Sequence, residues 1–194
     1  MSRRVWIAGA LAASVCLLWA AETVSRSERL AQYRNLGKAF YENPTTQTQA
    51  VEQFRKALGL APDSVREELN YGLALLRAGK AQDGVAALQD VQRRDPKLPH
   101  TWFNLGIYYK KTGDFAAATA QFQQIERLTP DEPIVHYQLG TLYKLNGSTA
   151  EARAEFDRTA KLDPDLAAAR FQLYNLDRQA GLSQQAAAQL AAFQ

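Results

Sequence analysis

The chain has 194 residues, 46% of them hydrophobic, with a formal net charge of +3 and a pI near 9.0. Gly and Pro are modest at 11 and 7, so the composition favours helices with apolar surface to bury and argues against disorder. A lone cysteine, Cys16, excludes both an intrachain disulfide framework and a cysteine-based zinc site.

Met1-Ser2-Arg3-Arg4 is followed by an uncharged run from Val5 to Ala21 that ends at Glu22. A basic start before an apolar stretch is the build of an export signal, and seventeen residues would make a helix of about 25 Å, the short end of a membrane span. Residues 1–21 are therefore expected to be a signal peptide or membrane anchor, with 22–29 as a linker. The sites after Ala20 and Ala21 have Leu18 or Trp19 where cleavage favours a small residue. Val15 is too large for a lipoprotein box ending at Cys16, and the two arginines offer only a weak twin-arginine address. The expected location is outside the cytoplasm, periplasmic or secreted, or held at the inner membrane by this segment.

Beyond residue 29 the chain keeps a 34-residue period. Prolines stand at Pro62, Pro96, Pro130 and Pro164. Small anchors recur at Gly37, Gly72, Gly106 and Gly140, with Tyr174 next in the series. Small residues follow at Ala50, Gly84, Ala118, Ala152 and Ala186, the first displaced by an insertion in the Asn43–Thr48 turn. Large apolar residues come next at Phe54, Leu88, Phe122, Phe156 and Leu190. Each unit reads as helix, turn, helix. The anchor glycine lets two helices approach closely, a turn glycine (Gly79, Gly113, Gly147 or Gly181) suits a left-handed backbone, and the proline stops the second helix. Five units are predicted at 30–64, 65–98, 99–132, 133–166 and 167–194. The fifth departs from the pattern, with Tyr174 for glycine and Asp177 for an aromatic, and Leu190 and Phe193 are expected to be uncovered.

The third unit, with Trp102, Leu105-Gly106, Tyr109, Gly113-Asp114-Phe115, Ala118, Phe122 and Pro130, resembles the tetratricopeptide repeat. The resemblance extends over residues 30–194. It implies an all-α fold, a right-handed α-solenoid of about five stacked helix–turn–helix repeats, whose first helices line a concave binding face.

Taken from each anchor, the positions three before, one after and four after share a helical face opposite the packing residues. They give an aromatic column at Phe103, Tyr137 and Phe171, an apolar centre at Leu69, Leu73 and Ile107, and a basic row at Lys110, Lys144 and Arg178. Two residues before the anchors stands an amide ladder that includes Asn70, Asn104 and Gln138. This surface suits a peptide or partner protein with apolar and acidic character. The chaperone-tail clamp of the family is not expected, because Leu69, Leu73, His100 and Asn104 break its Lys/Asn/Arg set.

No catalytic constellation, cofactor or metal site is expected. His136 takes the place that Trp102 holds one repeat earlier, and neither it nor His100 has a cysteine or second histidine at ligand spacing. Glu67-Glu68 reads as a solvated face and Asp131-Glu132 as a turn; neither offers the unequal environments of an acid–base pair. Arg93-Arg94 and Lys110-Lys111 are too short to form a nucleic-acid stripe. The expected function is a non-enzymatic interaction scaffold. Self-assembly through the C-terminal repeat, or service as the accessory front of a larger exported protein or enzyme complex, are the alternatives.

Overall fold

The computed structural model describes residues 25–191, and all regular structure among them is helical. The segment expected to direct export, residues 1–21, lies outside the described residues, as does Phe193. Among the described residues no helix is long and apolar enough to cross a membrane.

Two compact units make up the chain, Met1–Asp95 and Pro96–Gln194. The first contains α1 (described over 25–42), α2 (Gln47–Leu60), α3 (Val65–Arg77) and α4 (Ala81–Arg94). The second contains α5 (Pro99–Thr112), α6 (Phe115–Leu128), α7 (Pro133–Leu145), α8 (Thr149–Leu162), α9 (Ala167–Gln179) and α10 (Ser183–Ala191). Within each unit successive helices pack as antiparallel-type pairs joined by short turns.

Local chemistry sets these boundaries. Pro99 and Pro133 open α5 and α7, where the missing N–H costs nothing. Ser64 accepts from the Glu67 N–H at 3.3 Å and Asp114 from the Ala117 N–H at 3.0 Å, capping α3 and α6. Gly113 ends α5 at φ 86°, a left-handed conformation that a Cβ would oppose. The first turn lacks such a glycine. There the Asn43 side chain accepts from the N–H and hydroxyl of Thr45, and Thr46 donates to the Phe40 carbonyl at 2.9 Å.

In three of the helix pairs the core is a ring pressed on a glycine, Phe54 on Gly37, Phe122 on Gly106 and Phe156 on Gly140, while Gly72 meets Leu88. A Cβ added to Gly106 would stand 2.8 Å from Phe122, and one on Gly140 would stand 2.8 Å from Phe156, well inside van der Waals contact. Around Phe122 are buried Ala118, Ile125, Val135, Leu139 and Leu142, so the α5–α6 pair shares its core with α7. Phe156 clusters with Ala152, Ala160, Ala169, Leu173 and Leu176, which extends the same arrangement to α9. In the first unit Phe54 packs with Ala50, Val51, Ala74 and Leu75.

Two polar residues depart from expectation. Glu67 is fully buried rather than solvated. Its carboxylate accepts from Arg34 Nε of α1 at 3.0 Å and lies 3.3 Å from Arg66, because a buried charge persists only when paired. Glu68 next to it pairs with Arg94, yet burial and the nearby Asp90 raise its pKa above the ordinary value. The two carboxylates do therefore differ in environment, but both are spoken for by arginines. Asp177, at the position an aromatic holds in earlier repeats, is buried with one oxygen on Arg153 of α8 and the other, Oδ2, without a partner. Leu190 is 45% exposed, as expected of an uncovered end.

The close approach at Gly106 predicts that Gly106→Ala lowers stability by about 1–2 kcal/mol, since overpacking outweighs the gain in helix propensity. Gly59→Ala in α2, where nothing lies within 4 Å of the added atom, should instead raise it by up to about 1 kcal/mol. Urea melts of both variants check the pair. Gly113→Ala should cost about 1–2 kcal/mol through backbone strain alone, in the same assay.

Candidate binding face of the second unit

The faces of α5, α7 and α9 carry most of the residues expected to bind, and their neighbours show how the fold places them. Phe103 is half-buried, with its ring edge-on to Phe122 at 5.6 Å and 84°. Tyr137 is tilted against Phe156 at 5.7 Å and 55°. The two rings therefore stand on the very residues that fill the glycine contacts, and Ile107 also packs against that core. The binding face is not separated from the packing face as the helical register suggested. Phe171 differs: it is 52% exposed and stacks on Tyr174 at 6.5 Å and 27°. Tyr174, which replaces the anchor glycine, thus supports Phe171 from its own helix.

The basic row and the amide ladder meet each other across helices. Lys110 Nζ on α5 donates to Gln138 Oε1 on α7 at 2.5 Å. One repeat later Lys144 Nζ on α7 donates to Gln172 Oε1 on α9 at 2.8 Å. Gln138 is buried, so its carbonyl takes the ammonium that would otherwise lack a partner in a desolvated place. Burial pushes the Lys110 pKa below the ordinary lysine value. An arriving carboxylate would reverse that effect, and a lysine with one donor committed has two left for it. Arg178, next in the row, lies over the Tyr174 ring at 5.9 Å. Asn104 turns back on its own helix, donating to the His100 carbonyl at 2.7 Å.

Phe103 and Asn104 line a recess of about 290 Å³ with Pro99, His100, Ile134 and Val135. Ile125 of α6 and Thr129, just past its end, also line it. His100 and Ile134 stand six residues before the anchors Gly106 and Gly140 on α5 and α7, whereas Thr129 and Glu132 come from the connection between α6 and α7, which periodicity along first helices does not reach. Ile134 is 36% exposed. In the first unit, Asn70 and Leu73 border a separate recess of about 320 Å³ with Arg34, Lys38, Tyr41 and Glu42. Leu69 is half-buried on the same helix and does not line that recess. Arg34, which lines that recess, also pairs with Glu67.

Away from this face, three residues with ligand-type atoms converge. His136 of α7, fully buried, has Nδ1 at 2.7 Å from Glu155 Oε2 of α8 and at 3.9 Å from Glu126 Oε1 of α6. Its Nε2 lies 2.8 Å from the Pro130 carbonyl. Burial of His136 agrees with its reading as a packed helix residue. The two carboxylates come from other helices, beyond the reach of any spacing rule.

The geometry has solved counterparts. MamA (residues 41 to the end) from Desulfovibrio magneticus RS-1 superposes with a TM-score of 0.73 at 16% identity, covering 85% of this chain and 93% of that one. A second MamA structure gives 0.72 at 19%, covering 86% and 91%. Pseudomonas aeruginosa PilF gives 0.74 at 18%, covering 87% and 77%. At these identities the likeness is one of fold. No curated protein matches the chain. The tetratricopeptide repeat family matches residues 47–99, 69–133 and 103–167, overlapping stretches that together span more than half the sequence. With its 34-residue helix pairs and glycine-on-ring contacts, the chain belongs to the tetratricopeptide repeat family.

Proposed function

We propose that the chain is a non-catalytic interaction scaffold of the cell envelope, exported or tethered through residues 1–21, that holds an apolar, acidic segment of a partner along α5, α7 and α9. Members of this family bind other proteins or peptides through such arrays. The observation that carries the reading is the pair Lys110–Gln138 and Lys144–Gln172. These contacts fix two ammonium groups at equivalent places on the first helices of successive repeats, α5 and α7, which also carry Phe103 and Tyr137. A segment crossing the three helices would meet cations and aromatic edges in alternation. Acidic side chains answer the first and apolar ones the second. Leu69, Asn70 and Leu73 would serve a contact of their own in the first unit. Membrane contact is assigned to residues 1–21 alone, and no nucleic-acid role is proposed.

One observation favours a second reading, self-association through the last helix pair. Phe171 and Leu190 are exposed beside a recess of about 190 Å³ that includes Arg170, Tyr174 and Gln189. Concentration-dependent sedimentation separates it from peptide binding.

A series of labelled twelve-residue peptides of constant apolar content and graded acidity tests the main reading by fluorescence anisotropy. Affinity should rise with acidity and fall with salt. Lys110→Glu with Lys144→Glu should weaken the best peptide at least tenfold, about 1.4 kcal/mol, while circular dichroism and melting stay unchanged. Equal binding by the folded double variant would sink the proposal. Fractionation of cells expressing the whole chain checks its location: recovery in the soluble cytoplasm would contradict the envelope assignment.

A further inference from the structure

We propose that His136 Nδ1, Glu126 and Glu155 form a three-ligand site for a zinc-type divalent cation that clips α6, α7 and α8 together. The argument begins with the repeat register. At the equivalent place one repeat earlier, Trp102 Nε1 donates to the Pro96 carbonyl at 3.1 Å. His136 Nε2 faces the Pro130 carbonyl at 2.8 Å in the same register. An indole N–H can only donate and a carbonyl can only accept, so the proton on His136 belongs on Nε2. In the neutral ring that leaves Nδ1 with a lone pair aimed at the carboxylates of Glu155 and Glu126. Lone pairs face one another only with a proton or a metal ion between them, and the zinc titration below separates the two. The carbonyl that fixes the tautomer is the outer-shell partner that metal-binding histidines commonly have.

Glu126 and Glu155 bring two carboxylates to the site, and Arg158 lies 3.7 Å from Glu126, so an arriving divalent cation would meet net negative charge.

The geometry is close to what zinc needs. The three donor atoms lie within 4.8 Å of one another. Two ligands of a tetrahedral zinc with bonds of about 2.1 Å stand roughly 3.4 Å apart. The Nδ1–oxygen distances of 2.7 and 3.9 Å bracket that value, so small rotations of two glutamates suffice. Both reach solvent, with side chains 30% and 19% exposed, which leaves a path for the ion and a water as fourth ligand. Imidazole with carboxylates suits late first-row divalent ions rather than calcium or magnesium. Such an ion would join the third and fourth repeats by tying α6, α7 and α8 together.

The test is calorimetric titration of zinc chloride into the untagged, chelator-treated full chain, with thermal melts in parallel. One zinc per chain should bind saturably and raise Tm by several degrees. His100→Ala and Cys16→Ser should leave both results unchanged. His136→Trp places the residue of Trp102 in the same register, so it should keep the Pro130 contact and lose the zinc site. Glu155→Gln and Glu126→Gln, nearly isosteric, should each weaken binding at least tenfold while melting without zinc stays close to wild type. Absence of saturable binding by the wild-type chain, or undiminished binding by folded His136→Trp or Glu155→Gln, would overturn the proposal.

Discussion

Helices joined by a short turn can share a core only as thick as their side chains allow, and here the limit is set where a glycine meets a ring. Phe122 lies on Gly106 and Phe156 on Gly140, each at a distance that would leave no room for a Cβ. Once the two helices of a pair are that close, the ring spreads sideways and meets the next pair, as the cluster of Phe122 with Val135, Leu139 and Leu142 records. No single pair buries its apolar face alone; stacking completes it. The same ring then supports Phe103 or Tyr137 on the exposed side of the first helix. Phe103 and Tyr137 take their orientation from the core, so under the proposed function the same rings would serve stability and recognition.

That coupling explains which features could be read from the residues. The 34-residue recurrence of glycine, small residue, large apolar residue and proline points to helix pairs, because that spacing brings Phe122 onto Gly106 and Phe156 onto Gly140. Positive φ at Gly79, Gly113, Gly147 and Gly181 follows from the same register. Side-chain partners across repeats were not legible. Helical periodicity says that Lys110 and Gln138 lie on comparable faces, but not that one bonds the other. It also treats a face as single-purpose, which is why Phe103 and Ile107 were expected to stand apart from the core they in fact touch. Glu67 was misread because its partner Arg34 lies on another helix, and local sequence polarity carries no information about burial. His136 was judged from spacing along the chain, whereas its carboxylates sit ten residues before and nineteen after it, on different helices.

The charged groups sort into two uses. Arg34 and Arg153 neutralise the buried carboxylates Glu67 and Asp177, one within each unit. Removing Arg153 would leave Asp177 buried without a partner, and removing Arg34 would leave Glu67 only the exposed Arg66, so these pairs constrain the fold whatever their net contribution. Lys110 and Lys144 instead meet neutral amides, which hold an ammonium in place without cancelling it. Their charge remains available to an anion, and Lys110 is partly desolvated in advance of one. The contrast between neutralised and merely positioned cations is what supports the proposal of an acidic partner on the faces of α5, α7 and α9.

The most direct measurement is site-specific photocrosslinking in native envelopes, with a photoreactive residue placed in turn at Thr141 on α7 and at exposed Arg127 on α6. The account predicts a discrete crosslinked partner from Thr141, competed away by the best acidic peptide, and none from Arg127. Crosslinks from Arg127 with none from Thr141 would contradict it and move recognition to the second helices.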